Sequence, residues 1–532
     1  MSSRLRNLDP GPVWVYLLSF GALFARFGYN FGAGDQDELV PYLSSLLDHS
    51  LFANDWFVQT QAAEIGVRTY VVWLLAPFCR LTSIPAVFFS VYLICWILIG
   101  SGAYRVAHRL LKDRVAAALA VFLTLGVLHK WTLGSNDLVY SMFVGEMIAW
   151  GLALHALHQW LQRRDRNAAV LLGIATWFQL LAGLLLAGVL VVERIWDRVE
   201  GRKTDREGNG ALIALALFVI TALPAIIPIA LQQLSARTLD AEEVFYILAR
   251  FRNPFHHMFL SFGAKSIIRF AIMLVLGSGA FHLLRKRAAV SDGVRLIRVA
   301  SIILAACIVT AVFTEVWPVL LVAKFQAFKL TVVLKLLLVV VMSGALIIVL
   351  PDTVTRPFET FVRPGRTRDV ASILASVLVI VLALSKPAFL SPHTAADVHA
   401  RSDLGRMESW IATHSEKDAV FAVPPSNSTF RSNARRAIVI DYAAFPFDDA
   451  DMITWFSRLL DVAPIKAPSR GLGVKPVLDE AYHGHTTADW ISLRSKYGID
   501  FLLVDQSALT SRLGFDPVHE VGRWKLYRLP DS

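Results

Sequence analysis

The chain has 532 residues, of which 55% are hydrophobic and only 18% are charged, and its mean hydropathy is +0.53. An ordinary globular domain carries about 25% charged residues, so this composition excludes a purely soluble enzyme and indicates a protein that faces lipid. The net charge of +10 does not indicate nucleic-acid binding, because the Lys and Arg residues fall in short clusters between apolar runs.

Eleven apolar stretches bounded by charged residues predict membrane-spanning helices. They lie near residues 12–30, 84–104, 115–129, 141–160, 167–180, 181–193, 210–232, 266–284, 296–313, 329–350 and 369–386. The region 167–193 fits one long helix or two half-helices broken near Gln179 to Gly183, and we count it as two. The first stretch lacks a small-residue cleavage site and is expected to act as a signal anchor.

The positions of Lys and Arg predict how these helices are oriented. Positive clusters lie at 4–6, 105–114, 163–166, 194–206, 285–298 and 356–368. They fall on every second loop, and positive residues are retained on the cytoplasmic side of short loops. We therefore expect a cytoplasmic N-terminus, a transmembrane domain over 1–386 and an extracytoplasmic, periplasmic domain over 387–532. The short cytoplasmic loops are compatible with a bacterial inner membrane.

The first outer loop, residues 31–66, contains a dense acidic cluster. Asp35, Asp37 and Glu38 lie within four residues, and an apolar helical face from Leu39 to Leu47 follows them. This face predicts a helix at the membrane interface with the carboxylates at its N-terminus. Mutual repulsion and lost solvation should raise the pKa of at least one acid, which is typical of functional sites. The alternative is that the acids only cap and solvate the helix.

These features together resemble the GT-C superfamily of membrane glycosyltransferases. The resemblance covers the cytoplasmic N-terminus, the Asp-Gln-Asp-Glu cluster, the interfacial helix, about eleven spans and the outer C-terminal domain. It implies a polyprenyl-phosphate-linked sugar donor, a glycan or lipid acceptor, and an Asp of the first loop as catalytic base. Asp37 with Glu38 matches an Asp-Glu motif, whereas Asp35 with Asp37 matches Asp-x-Asp; we favour Asp37. If one carboxylate alone acts on the sugar, transfer inverts the anomeric configuration.

Two outer segments supply candidate ligands for the departing phosphate. They are Arg250, Arg252, His256 and His257 in the loop 233–265, and Lys324 and Lys329 at the start of the tenth span. Arg donates paired hydrogen bonds to phosphate, and His can transfer protons near neutral pH. The alternative is an interfacial belt of snorkelling side chains. The adjacent His pair is a weak metal signal, so a divalent cation is considered but no ligand spacing supports one.

Four further polar residues lie inside or between the predicted spans. Arg26 in the first span and Glu146 in the fourth are functional candidates because ionisable groups are expensive in a membrane, although a neighbouring helix could satisfy Glu146. The pair Asn136-Asp137 reads as an ordinary turn.

From about residue 400 the sequence predicts a soluble α/β domain. The short apolar runs Ala419–Val423, Ala437–Ile440 and Phe501–Val504 alternate with helical patterns. No Gly-rich phosphate loop or nucleophile elbow occurs there. The three cysteines lie in or beside apolar segments and predict neither a disulfide framework nor a zinc site; they are Cys79, Cys95 and Cys307. The basic positions Arg431 and Arg435 suggest a solvated face or a contact with an anionic ligand.

Two other functions are compatible with the sequence. A transporter or flippase of lipid-linked glycans would use the acids, Arg26 and Glu146 along a translocation path, but no repeat between the halves is discernible. A non-enzymatic membrane scaffold would tolerate neutralisation of the acidic cluster.

Overall fold

The computed structural model describes residues 12–32, 34–200, 210–235, 239–350, 399–465 and 470–530. The predicted span at 369–386 and the predicted domain boundary at 386/387 lie outside these ranges, so both stay predictions.

Helices dominate the described part of the chain before residue 351. They are α1 (Val13–Phe27), α2 (Gln36–Leu47), α3 (Trp56–Ala63), α4 (Thr69–Cys79), α5 (Ile84–Leu111), α6 (Arg114–Val121), α7 (Gly145–Leu161), α8 (Asp165–Phe178), α9 (Leu180–Val199), α10 (Gly210–Ser235), α11 (Ala241–Phe245), α12 (Pro254–His257), α13 (Ala264–Lys286), α14 (Gly293–Glu315), α15 (Leu320–Phe325) and α16 (Thr331–Val349). The region 167–193 forms two helices, because Gln179 between α8 and α9 has an extended backbone with φ −157°.

Five described helical stretches are long and apolar enough to cross a membrane. They are Ile84–Leu111, Gly210–Leu234, Ala264–Lys286, Gly293–Glu315 and Leu320–Val349. Shorter apolar helices occur at Val13–Phe27, Thr69–Cys79 and Arg114–Val127. These stretches identify a polytopic helical membrane protein, and the count of eleven spans stays a prediction.

Every strand of the described chain lies after residue 419, among further helices. The elements are α17 (Asp403–His414), β1 (Val420–Ala422), α18 (Phe430–Ala434), β2 (Ala437–Ile438), α19 (Asp449–Val462), α20 (Lys475–His483), α21 (Thr487–Tyr497), β3 (Phe501–Asp505), β4 (Pro517–Val521) and β5 (Trp524–Arg528). The five strands form one sheet in the order β2-β1-β3-β5-β4. Pairing is parallel among β2, β1 and β3, and antiparallel among β3, β5 and β4. Apolar residues such as Phe421, Leu503 and Leu526 form its core with Met407 and Ile411 of α17.

The chain folds as two compact units, and each collects three separate stretches of sequence. The first unit comprises Met1–Gly28, Ser90–Ile226 and Phe255–Ser391, and the second comprises Tyr29–Phe89, Ile227–Pro254 and Pro392–Ser532. In the second unit, therefore, the first outer loop folds together with the strand-containing C-terminal region. That unit contains the acidic cluster.

Helices of the first unit pack closely where glycine removes the side chain. A Cβ on Gly151 would lie 2.6 Å from Leu98, and one on Gly277 would lie 2.5 Å from Leu338. Small residues let membrane helices approach in this way and gain van der Waals contact.

Candidate active site

The acidic cluster lies at the start of α2 in the second unit. The backbone N–H of Gly32 donates to the Gln36 side chain at 2.9 Å and closes the turn that leads into the helix. Asp37 and Glu38 occupy the first turn, where the helix dipole favours negative charge. Their exposed fractions are only 2% and 7%, whereas Asp35 is exposed. Burial thus separates two of the three predicted acids from solvent.

Glu38 is held by a buried cation and a backbone donor. It forms an ion pair with Arg68, and the backbone N–H of Phe445 donates to its Oε1 at 3.0 Å. The Arg68 guanidinium also donates to the Phe445 carbonyl oxygen at 3.3 Å. Burial raises the pKa of Glu38 to about 7, although the positive charge of Arg68 opposes the rise. Glu38 thus connects α2 to the segment around Phe445.

Asp37 has fewer partners than Glu38. Its Oδ1 is buried and has no hydrogen-bond partner among the described residues, while the Ser428 side chain is within hydrogen-bonding reach of the carboxyl group. Burial, assisted by the negative charges of Asp441 and Glu38, raises the pKa of Asp37 well above its ordinary value. Ser428 and Lys475 act in the opposite direction. A buried carboxyl with an unused oxygen and a raised pKa is typical of a general base.

Arg252 contributes a second guanidinium to this region. It lies on a π-helical segment, Tyr246–Arg252, and such segments occur frequently at functional sites. The guanidinium lies 4.7 Å from the centroid of the Tyr442 ring and donates to the Ala443 carbonyl oxygen at 2.7 Å. Its Nε is buried without a partner among the described residues. Because its charge lowers the pKa of Glu38, Arg252 belongs to the same electrostatic site.

Lys475 supplies a third cation from the first residue of α20. Its Nζ lies 6.0 Å from the centroid of the Tyr442 ring, and its charge acts on Asp37. Two buried carboxyl groups are thus accompanied by Arg68, Arg252 and Lys475. An arrangement of this kind can accept a proton at one atom and stabilise developing negative charge at another.

A buried ion network fixes the segment from Asp441 to Phe445 within the second unit. Arg431 is 1% exposed; its Nε donates to Asp55 at 2.7 Å and its terminal nitrogen pairs with Asp441. Asp55 also accepts from the Ile438 backbone at 3.0 Å, and Asp441 accepts from Ala444 at 2.6 Å. Arg431 is therefore buried rather than solvated, and its ion pairs with Asp55 and Asp441 give it a structural role.

The six predicted phosphate ligands divide between the units. Arg250 and Arg252 belong to the second unit, and the Arg250 guanidinium lies 5.5 Å from the Phe245 ring centroid. The other four belong to the first unit: His256, His257, Lys324 and Lys329.

The two histidines make hydrogen bonds within the first unit. The Nδ1 atoms of His256 and His257 lie 2.6 Å from the Gly134 carbonyl and 2.9 Å from the Ala323 carbonyl. His257 is fully buried, and that burial lowers its pKa to about 4. It is therefore neutral at physiological pH.

Both ionisable residues predicted inside the spans, Arg26 and Glu146, have hydrogen-bond partners in the first unit. Lys329 donates to Glu146 at 3.1 Å, and Glu146 also accepts from the Trp150 indole at 2.8 Å. Lys324 is half-buried on α15. The Arg26 guanidinium donates to the Val127 carbonyl at 2.8 Å. Side chains of neighbouring residues thus satisfy Glu146, which is one of the two alternatives that the sequence allowed.

Asp137 has a larger role than that of an ordinary turn residue. It is fully buried, lies 2.5 Å from Lys335 Nζ and 3.0 Å from His129 Nδ1, and accepts from the Lys130 backbone. This cluster anchors the short outer loop within the first unit.

Three residues of the candidate site were not predicted from the sequence. Only Arg68 has a local sequence feature that could have identified it. Arg68 directly precedes the apolar helix α4 on the predicted outer side, where positive charge is normally sparse. Ser428 and Lys475 are ordinary polar residues in their local sequence, and only the tertiary fold brings them to Asp37. Among the described residues, no group of three or more His, Cys, Asp or Glu side chains is arranged to hold a metal ion.

Comparison with known proteins relates part of this site to a sequence family. Residues 402–462 match the domain of unknown function DUF6798, a region that contains Ser428, Arg431 and Asp441. No curated protein matches the chain.

Solved structures share the fold of this chain. ArnT from Cupriavidus metallidurans, bound to undecaprenyl phosphate, is 12% identical with a TM-score of 0.52, and the match covers 100% of this chain and 99% of that one. The chain has the GT-C fold. The apo oligosaccharyltransferase from Archaeoglobus fulgidus is 11% identical with a TM-score of 0.50, over 93% of this chain and 69% of that one. The predicted resemblance to this superfamily is therefore confirmed at the level of the fold.

Proposed function

We propose that this protein is an integral membrane glycosyltransferase that moves a sugar from a polyprenyl-phosphate-linked donor to a glycan or lipid acceptor. The observation that carries the proposal is the buried Asp37 carboxyl, whose Oδ1 has no partner among the described residues and on which the charge of Lys475 acts. The adjacent Glu38 carboxyl is accompanied by Arg68 and Arg252. The undecaprenyl phosphate bound to ArnT, which shares the fold, supports a polyprenyl-phosphate donor.

In the proposed reaction, Asp37 is the catalytic base. Its carboxylate takes the proton of an acceptor hydroxyl while that oxygen attacks the anomeric carbon of the donor sugar. The bond between the anomeric carbon and the phosphate oxygen breaks, and the electron pair leaves with the polyprenyl phosphate. A single displacement of this kind inverts the anomeric configuration.

The leaving phosphate needs positive charge as the bond breaks. Arg252 has a buried Nε without a partner among the described residues, and a planar guanidinium fits phosphate oxygens in pairs. Lys475 adds a compact charge close to Asp37. Arg250 belongs to the same unit and is kept in the proposal as a further candidate. The roles predicted for His256, His257, Lys324 and Lys329, which belong to the first unit, stay predictions.

The proposed topology has eleven spans, a cytoplasmic N-terminus and a periplasmic domain over 387–532. In that arrangement the first outer loop and the C-terminal domain face the outer side of the cytoplasmic membrane. Transfer would then use donors whose sugar is on that side.

The proposal is tested by transfer assays on the purified full chain in lipid nanodiscs. The donors are undecaprenyl-phosphate-linked hexoses and pentoses labelled in the sugar, with bacterial membrane extract as acceptor, and released undecaprenyl phosphate is measured. Asp37→Asn should lower the rate about 100-fold or more, because loss of a general base costs 10²–10⁴. Asp35→Asn, at the exposed neighbouring acid, is the matched control and should retain most activity.

Two results would contradict the proposal. Transfer by Asp37→Asn at the wild-type rate would remove the catalytic assignment. Movement of labelled donor across proteoliposomes with no covalent product would favour a flippase instead.

A further inference from the structure

The first outer loop contains a cavity that is not part of the acid and cation site. It lies among α2, α3 and α4 in the second unit, and its volume is about 560 Å³. Small-molecule sites usually have about 300–1,000 Å³, so the cavity is large enough for a sugar-sized group. The lining residues are Tyr42, Ser45, Leu46, His49, Leu51, Ala53, Gln59, Ala62, Ala63, Glu64, Ile65, Thr69 and Trp73.

The lining chemistry favours an uncharged ligand with many hydroxyl groups. Among the described residues that line the cavity there is no Lys or Arg, and the one carboxylate is Glu64. The Gln232 side chain donates to Glu64 Oε2 at 2.6 Å. A carboxylate in a site without Lys or Arg disfavours phosphate, whereas carboxylate, amide, imidazole and hydroxyl groups hydrogen-bond to sugar hydroxyls. The exposed Trp73 ring adds an aromatic surface.

One wall of the cavity continues into an apolar surface. On α4, Trp73, Leu74 and Phe78 are 48%, 41% and 53% exposed, and their spacing places them on one side of the helix. An exposed apolar patch beside a polar cavity is typical of a surface that meets lipid. The ligand is therefore expected to be amphipathic, with a polar head in the cavity and hydrocarbon along α4.

The cavity also adjoins the candidate active site. Tyr42 lies one helical turn after Glu38 on the same face of α2, and Thr69 directly follows Arg68. The Thr69 side chain lies within hydrogen-bonding reach of Tyr42. These two residues thus form the end of the cavity next to the Glu38 and Arg68 ion pair.

We propose that this cavity binds the headgroup of an uncharged glycolipid, which is the acceptor in the transfer reaction; the acceptor role rests on the function proposed above. The cations that act on Asp37 and Glu38 suit the donor phosphate, and the cavity without Lys or Arg suits the neutral acceptor. The two substrates are thereby separated by charge. A hydroxyl of the headgroup would extend past Tyr42 toward the acids.

The test is photolabelling of the full chain in phosphatidylcholine nanodiscs. One probe is a glucosyl diacylglycerol with a diazirine in the acyl chain next to the glycerol, and the comparison probe is phosphatidylglycerol with the same chain. We expect the glycolipid probe to label the peptide that contains Ile65 and Trp73. Ala63→Trp, which fills the cavity, should lower that labelling about tenfold, which corresponds to 1.4 kcal/mol.

The control is Thr60→Trp, because Thr60 lies on the same helix, α3, but does not line the cavity. This variant should be labelled like the wild type. Trp73→Ala should also weaken labelling without filling the cavity. Equal labelling of Ala63→Trp, or equal labelling by the phosphatidylglycerol probe, would overturn the proposal.

Labelling needs no turnover, so the two proposals can fail separately. Labelling should persist in Asp37→Asn, because that variant retains the cavity. Asp37-dependent transfer without labelling would refute the cavity proposal alone. Labelling without any transfer activity would refute the acceptor role.

Discussion

Two consecutive carboxyl groups, Asp37 and Glu38, have different surroundings although both are buried. Glu38 is balanced by Arg68 and by the Phe445 backbone, whereas one oxygen of Asp37 has no partner among the described residues. A carboxylate with two strong partners is held in place, and one with a free lone pair can take a proton. In the proposed mechanism, this difference favours Asp37 as the base and a positioning role for Glu38.

Lys475 should tune the pH dependence of transfer. Its positive charge stabilises ionised Asp37 and lowers the pKa of that carboxyl, against the rise caused by burial. The base must be deprotonated, so the rate rises with pH through the Asp37 pKa. Lys475→Gln removes the charge, raises the Asp37 pKa further and should move the acidic limb of the rate profile to higher pH.

The measurement is kcat/KM as a function of pH for the wild type and the variant. Lys417→Gln is the matched control, because Lys417 pairs with Asp48 at the surface. Superimposable profiles for wild type and Lys475→Gln would show that Lys475 does not act on the base.

At the scale of elements, the site depends on contact between α2 and the segment from Asp441 to Phe445. That segment carries the N–H group that binds Glu38, and its own position depends on the Arg431 network. The same Arg431 binds Asp55, whose Oδ1 caps α3 through the Val58 N–H at 3.0 Å. One buried guanidinium therefore orients both the first outer loop and the segment over it.

Arg431→Met should destabilise the protein by about 3–5 kcal/mol, because removing one partner of a buried ion pair leaves uncompensated charge on the others. Asp55 and Asp441 would lose their shared cation. Thermal unfolding of the detergent-solubilised protein measures the change. Arg435→Met, at an exposed neighbouring position, should have little effect. Equal melting temperatures for the two variants would contradict this account of the network.

Local patterns predicted the helical part of the site and left its partners unassigned. The acids at 35–38 and the apolar face from Leu39 to Leu47 predicted the start of this helix correctly. Both patterns are local, because all these residues lie within a few helical turns of one another. By contrast, the bond between the Phe445 N–H and Glu38 joins residues 407 positions apart. Neither periodicity nor residue type determines such a pairing, which also explains why Ser428 and Lys475 were missed. The sequence did not predict the burial of Arg431, because a buried, ion-paired Arg has the same local sequence as a solvated one.

At the scale of the whole molecule, the chain forms two units whose segments alternate along the sequence. The second unit receives residues from the first outer loop, from the segment before Pro254 and from the C-terminal region. The resemblance inferred from the sequence predicted the fold. Which stretches of the chain make up each unit became known only from the structure. The orientation in the membrane stays a prediction that can be tested directly.

Single cysteines should report that orientation. In a background with Cys79, Cys95 and Cys307 changed to Ser, Ser507→Cys in the C-terminal region should react with a membrane-impermeant maleimide in cells with a permeabilised outer membrane. Arg287→Cys should react only after the inner membrane is opened. Both positions are exposed, so accessibility alone does not distinguish them. The reverse labelling pattern would contradict a cytoplasmic N-terminus with eleven spans.

The long separation between Asp55 and its partner Arg431 has a consequence for biosynthesis. The two residues are 376 positions apart, so at about 5–20 residues per second Arg431 is synthesised about 20–75 s after Asp55. During that interval the nascent first loop lacks its buried counter-ion, and the donor N–H for Glu38 does not yet exist. The enzyme proposed here would therefore become competent late in translation, and a ribosome that stalls before Arg431 would leave a membrane-inserted but inactive chain.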